Sequence, residues 1–305
     1  KIELKNSRFR FKDYRSSAKY FGMDYTDLDA RGINLTFSNL KNHGSNTKLI
    51  INHLSSTEKS EFVLQNLTGE VELDSTFVHI DKLKIETPNS TIITDYFRFD
   101  FEDPNDFEDF FEEKVKMTTN FQSSNLNLKD LSYFTSFFEG IDRTVLLSGR
   151  FEGTVDDFQT YDLRIKLDKN TEFRGNLAMK GLPYVEKTTF RTNIYKLTSN
   201  ENELRNLDIP PFTKKQKLDL PAEFNGIGNI DVTGTLAGKL TDFKGNLIAI
   251  TDQGTIKTES RYWEENNNQN FDGVIIAEIH PKTGQILSNH LLSGTCLFAI
   301  RHLLF

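Results

Sequence analysis

The sequence is poor in several residue types that stabilise or equip compact enzymes. It holds a single cysteine, Cys296, so an internal disulfide is excluded and the chain is either reduced or exported without one. One Trp and three Met stand against 26 Phe, so phenylalanine rings must line whatever apolar surface is buried. Hydrophobic residues make up 37%, and even with the 18 glycines the chain falls below the about 45–50% apolar content of ordinary domains. We therefore do not expect a thick core covered on both sides.

Charge and hydropathy bear on two further classes. The net charge is −7 and the basic residues are scattered rather than striped, which argues against binding to nucleic acid. No run approaches the roughly 18 apolar residues that would cross a bilayer, and no signal-peptide pattern precedes the first apolar segment. Because the chain opens on Lys1 and stops just after the apolar run 297–300, we expect an internal piece of a longer protein, with any membrane anchor outside it.

Motifs for catalysis and metal binding are missing. There is no nucleophile elbow, P-loop or complete dinucleotide-binding glycine motif, and the acidic run 102–109 lacks the glycine of a calcium-binding loop. The pair Asp156 and Asp157 suits a turn better than acid–base chemistry. The histidines show no metal-ligand spacing; they are His43, His53, His79, His280, His290 and His302. We expect no metal, no cofactor and no enzymatic activity.

Alternation of apolar and polar residues is the main pattern of the chain, and it predicts half-buried β-strands throughout. Helical spacing occurs only near 128–138 and, more weakly, at 286–292, where we expect short helices or turns. The stretch 200–224 contains Pro210, Pro211 and Pro221, which cannot donate to a β-ladder, and is the best candidate for a connector. Besides the apolar runs named below, the strand candidates are 2–11, 62–67, 71–73, 78–85, 173–179, 190–197, 230–240 and 254–263.

An internal repeat appears when the sequence is shifted by 85 residues without gaps. Residues 148–158 then lie over 233–243, with four identities: the glycines 149/234 and 153/238, and the Asp-Phe pairs 157–158/242–243. Leu163 and Ile165 fall over Ile248 and Ile250 in the same alignment. We interpret each copy as a strand, an Asp-Phe turn and a second strand, with Gly149 and Gly234 on the same face. Repeated one-faced strands stack into a body in which each unit contacts mainly its neighbours.

Several segments resemble the TamB family as it occurs in Bacteroidetes-type bacteria. Together they cover most of the chain from about residue 2 to about 294, and their order and spacing carry the match, while 296–305 departs from the pattern. The segments are 62–67, 83–90, 128–134, 145–158, 170–177, 181–183 and 243–247.

The resemblance implies a member of the wider AsmA-like group. Such proteins are anchored in the inner membrane and cross the periplasm of Gram-negative bacteria towards the outer membrane. Their body is an elongated, repetitive β-sheet curled into an open apolar groove, the β-taco, with few short helices. The implied function is a scaffold in outer-membrane protein assembly and phospholipid transport. The implied partners are acyl chains or nascent outer-membrane proteins, and a BamA-like barrel.

Strand parity indicates which side chains would line such a groove. We expect one continuous grooved segment over 1–305, with possible sub-units 1–140, 141–225 and 226–305. The candidate lining residues are Phe97, Phe99, Phe101, Val145, Leu147, Phe151, Val155, Leu163, Ile165, Ile230, Val232, Leu236 and Leu240.

Two alternatives remain open at the level of sequence. The first is an extracellular or surface β-solenoid that binds a partner like an adhesin and buries its apolar face in a dry internal core. The second is a carbohydrate enzyme on a parallel β-helix, which should show short coils of regular length and a cluster of carboxylates; the sequence shows neither. An open groove would distinguish the scaffold from the adhesin-like module.

Overall fold

The computed structural model describes residues 1–15, 22–103, 106, 114–182, 187–209, 212–220, 224–239, 241–265 and 268–279. The predicted all-β class is confirmed, since 67% of the described residues lie in strands. The chain divides into two compact units, residues 1–154 with 210–215 and residues 155–209 with 216–305. We refer to them as the first and the second unit.

The first unit is an antiparallel ladder in which strands pair in chain order. β4 forms a short side branch on β3, and the other strands follow the order β1-β2-β3-β5-β6-β7-β8-β9. The strands are β1 (Ile2–Lys12), β2 (Asp27–His43), β3 (Asn46–Glu58), β4 (Val63–Leu64), β5 (Asn66–Leu73), β6 (Phe77–Glu86), β7 (Thr91–Asp100), β8 (Lys116–Asn127) and β9 (Thr144–Gly153).

The second unit repeats this arrangement, with each described strand pairing antiparallel to the next. Its strands are β10 (Asp157–Lys166), β11 (Glu172–Lys180), β12 (Thr189–Asn200), β13 (Asn229–Lys239), β14 (Asp242–Thr251), β15 (Gly254–Glu265) and β16 (Asn268–Ile279). The sheets are curled and unclosed, as predicted. The segment predicted as a connector links β12 to β13 and contains no strand longer than a single bridge within its described residues.

β-Bulges bend the strands of both units, and side-chain hydroxyls repair the ladder beside them. A bulge inserts an extra residue and leaves backbone groups of the neighbouring strand unpaired. In the first unit Ser124 Oγ accepts from Ile93 N at 2.9 Å and donates to Ile93 O at 3.1 Å. In the second unit Thr160 Oγ1 accepts from Leu177 N at 2.9 Å and donates to Leu177 O at 3.1 Å. The curl is therefore compatible with a fully paired backbone at these points.

The backbone supports the repeat where glycine is required. Gly149 and Gly153 of β9 have φ of 128° and 137°, and Gly234 and Gly238 of β13 have φ of 136° and 146°. This region is accessible essentially to glycine alone. A Cβ on Gly234 would lie 2.0 Å from the carbonyl oxygen of Asn246. The glycine pair is thus a shared backbone feature, and the Asp-Phe pairs open β10 and β14 as predicted.

The ungapped alignment of the two copies fails shortly after the Asp-Phe pair. Asp162 has a φ of 51° and forms a bulge in β10, for which β14 has no counterpart in its pairing with β13 or β15. A bulge reverses side-chain parity, so Leu163 is buried at 8% exposure while its aligned partner Ile248 is 39% exposed. Leu247, at 1%, takes the equivalent place. The prediction that Leu163 corresponds to Ile248 is wrong by one residue.

A short helix follows an equivalent strand in each unit. α1 (Leu128–Leu131) follows β8, and α2 (Glu201–Arg205) follows β12. Asparagine caps both, since Asn127 Oδ1 accepts from Lys129 N and Asn200 Oδ1 accepts from Glu203 N, each at 2.9 Å. The helix predicted near 128–138 is confirmed as α1 plus a 3₁₀ helix at Ser136–Phe138, and another 3₁₀ helix covers Phe212–Lys214. The weaker helix prediction at 286–292 lies outside the described residues.

An acidic residue of each helix holds the hairpin turn formed two strands earlier. In the first unit the buried Asp130 accepts from Thr87 Oγ1 and Ser90 Oγ, both at 2.5 Å. In the second unit Glu203 accepts from Asn170 Nδ2 at 2.7 Å and Thr171 Oγ1 at 2.6 Å. The repeating element is therefore larger than the aligned segment, because it includes a hairpin, the next strand, a capped helix and the glycine-bearing strand.

Candidate apolar groove

Strand register in the first unit places mainly apolar side chains in two rows that cross six strands. Residues directly opposite one another in an antiparallel pair point to the same face. The upper row joins Leu49, Val71, Ile80, Phe97, Thr119 and Phe151, and the lower row joins Thr47, Leu73, Val78, Phe99, Met117 and Gly153. We call these two rows and the face that carries them the open face.

The open face is only partly covered. Phe97, Phe99 and Phe151 are half-buried, whereas phenylalanine in the core of a globular protein is often fully buried. The Phe97 and Phe99 rings contact each other with centroids 4.8 Å apart, which fills the surface between neighbouring rows. Towards β1 the exposure increases, and Phe9 reaches 56%. This face leaves aromatic and aliphatic surface in contact with water.

The structure brings together five of the lining candidates on this face. Phe97 and Phe99 lie on β7, and Val145, Leu147 and Phe151 lie on β9. Val145 is only 5% exposed, so its predicted place on an open surface is wrong. Opposite them on β8, Leu126 faces Val145 and Ser124 faces Leu147.

Two further candidates lie off these strands. Phe101 follows the end of β7, is 8% exposed, and donates its backbone N–H to Thr76 O at 3.0 Å. Val155 lies in the bend after β9 and belongs to the second unit. The stripe that strand parity extended through Val155 therefore ends at Gly153.

In the second unit the same kind of face is buried. Val232 is 2% and Leu236 is 0% exposed, although both were predicted to line an open groove, and Ile230 is half-buried. Phe243 packs against Phe190 at 5.9 Å and against Tyr262 at 5.2 Å between ring centroids. A cluster of buried residues from α2 and the β12–β13 connector, including Leu204, Leu218 and Phe224, adds a compact core against which Ile230 packs. Leu240 lies outside the described residues.

The remaining candidates, Leu163 and Ile165 on β10, line a small apolar cavity of about 50 Å³. Thr171 and Thr192 supply its polar atoms, and both hydroxyls are already hydrogen-bonded, to Ser199 at 2.7 Å and to Asn176 O at 3.0 Å. The volume exceeds that of a single water site but is far below the roughly 300–1,000 Å³ of ligand pockets. We interpret this cavity as a packing feature of the second unit.

Sequence reasoning missed half of the open face. Leu49 on β3, Val71 on β5 and Ile80 on β6 complete the row that Phe97 and Phe151 begin. Residues 71–73 and 78–85 were predicted as strands, so the alternation signal was present for Val71 and Ile80, whereas no strand was predicted over β3. What was missing was the register between strands, because bulges at Lys82 and around Asp95 change parity along β6 and β7.

The strongest electrostatic features are on the outer faces. Glu172 accepts from Arg164 Nε at 2.9 Å and is also bound by Arg174. The Arg164 hydrogen bond, opposed by burial and reinforced by Arg174, lowers the pKa of Glu172 to about 2. In the first unit Arg8 and Arg31 lower the pKa of Asp29 in the same way. These ion pairs tie neighbouring strands together and lie away from the open face.

No group of three or more His, Cys, Asp or Glu side chains in the described part of the chain is placed to hold a metal ion. No described helix combines the length and apolar character needed to cross a membrane.

Comparisons with known proteins add no relative. No family model, no curated protein and no solved structure matches the chain.

Proposed function

We propose that this chain is a segment of a TamB-like scaffold whose first unit binds the acyl chains of phospholipids along the open face. The observation that supports the proposal most is the pair of mainly apolar, partly exposed rows that run from β3 to β9, interrupted by Thr47, Thr119 and Gly153. A folded protein gains little by leaving such a surface in water, and large exposed apolar patches mark interaction sites.

The dimensions of the rows suit an acyl chain. Neighbouring strands lie about 4.8 Å apart, so rows that cross six strands span roughly 24 Å. An acyl chain reaches across about half of the roughly 30 Å hydrocarbon core of a bilayer, so it fits along one row. Full removal of about 16 methylenes from water would contribute on the order of 10 kcal/mol, and a half-open face would provide part of this.

An open face also suits the rest of a phospholipid. A headgroup at its rim stays in water, so no unpaired charge has to be buried. In the proposed setting the chain lies in the periplasm of a Gram-negative bacterium, with an inner-membrane anchor elsewhere in the protein and a BamA-like barrel as its outer-membrane partner. Acyl chains are the proposed cargo because the face offers apolar contact and few polar groups to orient anything else.

The architecture does not favour the solenoid alternatives. A β-solenoid or β-helix stacks coils with parallel strands, whereas the strand pairings described within each unit are antiparallel. The buried face of the second unit shares with a solenoid core only its exclusion of water.

Photo-crosslinking in cells tests the proposal. A photoreactive residue at position 151, on the open face, should form phospholipid adducts, whereas position 150, exposed on the opposite side of β9, should not. Position 236 provides a second control, because Leu236 is fully buried in the second unit. Equal labelling at 150 and 151, or adducts at 151 that contain only protein, would contradict acyl binding. Phe151→Glu should reduce lipid recovered from purified protein at least tenfold while the circular dichroism of the sheet is retained.

A further inference from the structure

One buried hydroxyl on the apolar side of the first unit has no hydrogen-bond partner. Thr94, on β7, is 1% exposed, and its Oγ1 is one of three buried side-chain atoms without a partner in the described part of the chain. The other two lie elsewhere, on Ser60 in the turn after β3 and on His79, which points away from the face that carries Ile80. A buried polar atom without a partner is rare in a folded protein, so Thr94 requires an explanation.

Strand register places Thr94 on the open face. It lies opposite Phe121 of β8, which in turn lies opposite Gly149 of β9. Phe121 and Thr119 are two positions apart on β8 and therefore point to the same side of the sheet. Since Thr119 belongs to the upper row, Thr94, Phe121 and Gly149 form a further row beside it.

Two other buried hydroxyls on this face are explained by the backbone. Ser124 repairs the bulge described above, and Thr119 Oγ1 donates to Tyr96 O at 2.9 Å beside the bulge of β7. Thr94 Oγ1 makes no such bond within the described residues. Repair of the β-ladder therefore does not account for the Thr94 hydroxyl.

The second unit carries glycine at the equivalent position. Its corresponding row joins Gly175, Ile194 and Gly234, and Gly234 is the residue that aligns with Gly149 in the repeat. A Cβ on Gly175 would overlap the carbonyl oxygen of Asn193, so no side chain fits there. The closed face thus omits a side chain at this position, whereas the open face places a hydroxyl there.

We propose that the Thr94 hydroxyl donates a hydrogen bond to the ester carbonyl of an acyl chain bound along the open face. The inference rests on the proposed function and adds to it a contact that selects ester-linked lipids. A neutral acceptor suits the position, because Phe121 and Gly149 offer no charge to pair with a buried carboxylate.

The place of Thr94 along its strand agrees with such a contact. β7 begins at Thr91, so Thr94 lies about 10 Å from that end of the strand, and a headgroup next to the ester can reach the rim. Neighbouring side chains cover the hydroxyl in the free protein. We therefore expect the half-buried ring of Phe121 to change rotamer when lipid binds, as side chains at binding interfaces commonly do.

Competition between two lipids that differ only in their linkage tests the inference. Vesicles with equal amounts of dipalmitoyl phosphatidylethanolamine and its dihexadecyl ether analogue are incubated with the full chain, and mass spectrometry measures the lipid on the repurified protein. We expect the wild-type chain to retain the ester lipid about fivefold over the ether lipid, the factor that one neutral hydrogen bond supplies. Thr94→Val keeps the shape and removes the hydroxyl, so it should retain both lipids equally, and Thr94→Ser should restore the preference.

Thr192→Val is the matched control. Thr192 is equally buried in the second unit, and its hydroxyl donates to Asn176 O at 3.0 Å. This variant should keep the ester preference of the wild-type chain. In the free protein it should lower the urea midpoint, whereas Thr94→Val should not, because only the control breaks a hydrogen bond.

The possible outcomes separate this inference from the proposed function. Equal retention of the two lipids by the wild-type chain would overturn the inference and leave acyl binding intact. An ester preference that persists in Thr94→Val would overturn it as well. A lower urea midpoint for Thr94→Val would also do so, since the hydroxyl would then have a partner within the protein. Recovery of neither lipid from the wild-type chain would contradict the proposed function and the inference with it.

Discussion

The two units use the same local devices yet treat their apolar faces differently. In the first, Phe97 and Phe151 remain half-exposed in rows that cross six strands. In the second, Leu236 and Leu247 are buried at 0% and 1%. Glycine-bearing strands, asparagine-capped helices and bulge-repairing hydroxyls occur in both. Shared local structure therefore does not determine whether an apolar face is open. The number of large side chains packed over the face determines it.

The largest expected effect comes from the glycine that the second unit cannot replace. Gly234→Ala would place a Cβ 2.0 Å from the Asn246 carbonyl oxygen at a φ of 136°. We expect a loss of about 3 kcal/mol or more in the free energy of unfolding, because both the backbone conformation and the strand pairing would have to shift. Urea denaturation followed by tryptophan fluorescence of Trp263, on β15 of the same unit, measures it.

Gly32→Ala is the matched control. Gly32, in β2 of the first unit, has a φ of 59° and no atom within 4 Å of the position of an added Cβ. Its replacement should cost only about 1–2 kcal/mol, the strain of the left-handed region itself. Equal losses for the two variants would show that close packing around Gly234 contributes nothing.

A pair of leucine truncations tests the contrast between the faces directly. Leu236→Ala removes a side chain with no exposure and should destabilise the second unit by about 2–5 kcal/mol through lost transfer and a residual cavity. Leu49→Ala, on the open face, should cost about 1 kcal/mol, because Leu49 is not fully buried and its truncation leaves no closed cavity. Hydrogen exchange resolved by strand measures each loss in its own unit. A cost at Leu49 as large as that at Leu236 would mean that the first unit's face is closed in solution.

The smallest effect is expected on the outer faces, where the units do not differ. The pKa of Glu172 is lowered to about 2 from 4.5, so its contribution to stability is present above pH 4.5 and is lost as the pH falls towards 2. Glu172→Gln should remove about 1 kcal/mol at pH 7 and flatten the acid limb of the stability profile. Chemical denaturation between pH 7 and pH 2 measures both quantities. Glu259→Gln, at an exposed position of β15, should leave that limb unchanged.

Prediction from sequence was most successful where one strand can be considered alone. Alternation located many of the strands, although none was predicted over β2, β3, β8 or β16, and the glycine and Asp-Phe positions revealed the repeat. It failed where a feature depends on two strands. The bulge at Asp162 places Leu163 on the buried face, although Ile248, its partner in the ungapped alignment, is exposed. No pattern within β10 indicates this bulge. The latch of Asp130 on Thr87 and Ser90 joins residues about 40 positions apart, which periodicity cannot relate.

By itself the sequence determined that this protein is built from one-faced strands. Period-two alternation is a local feature of the sequence, and phenylalanine content and charge are features of its composition. All three are therefore known without the tertiary structure. Only the tertiary structure decided which faces stay open. Burial depends on how many side chains from other strands reach the same space, and this in turn depends on register and bulges. Phe151 and Leu236 hold aligned positions in the repeat, yet one is half-buried and the other is fully buried.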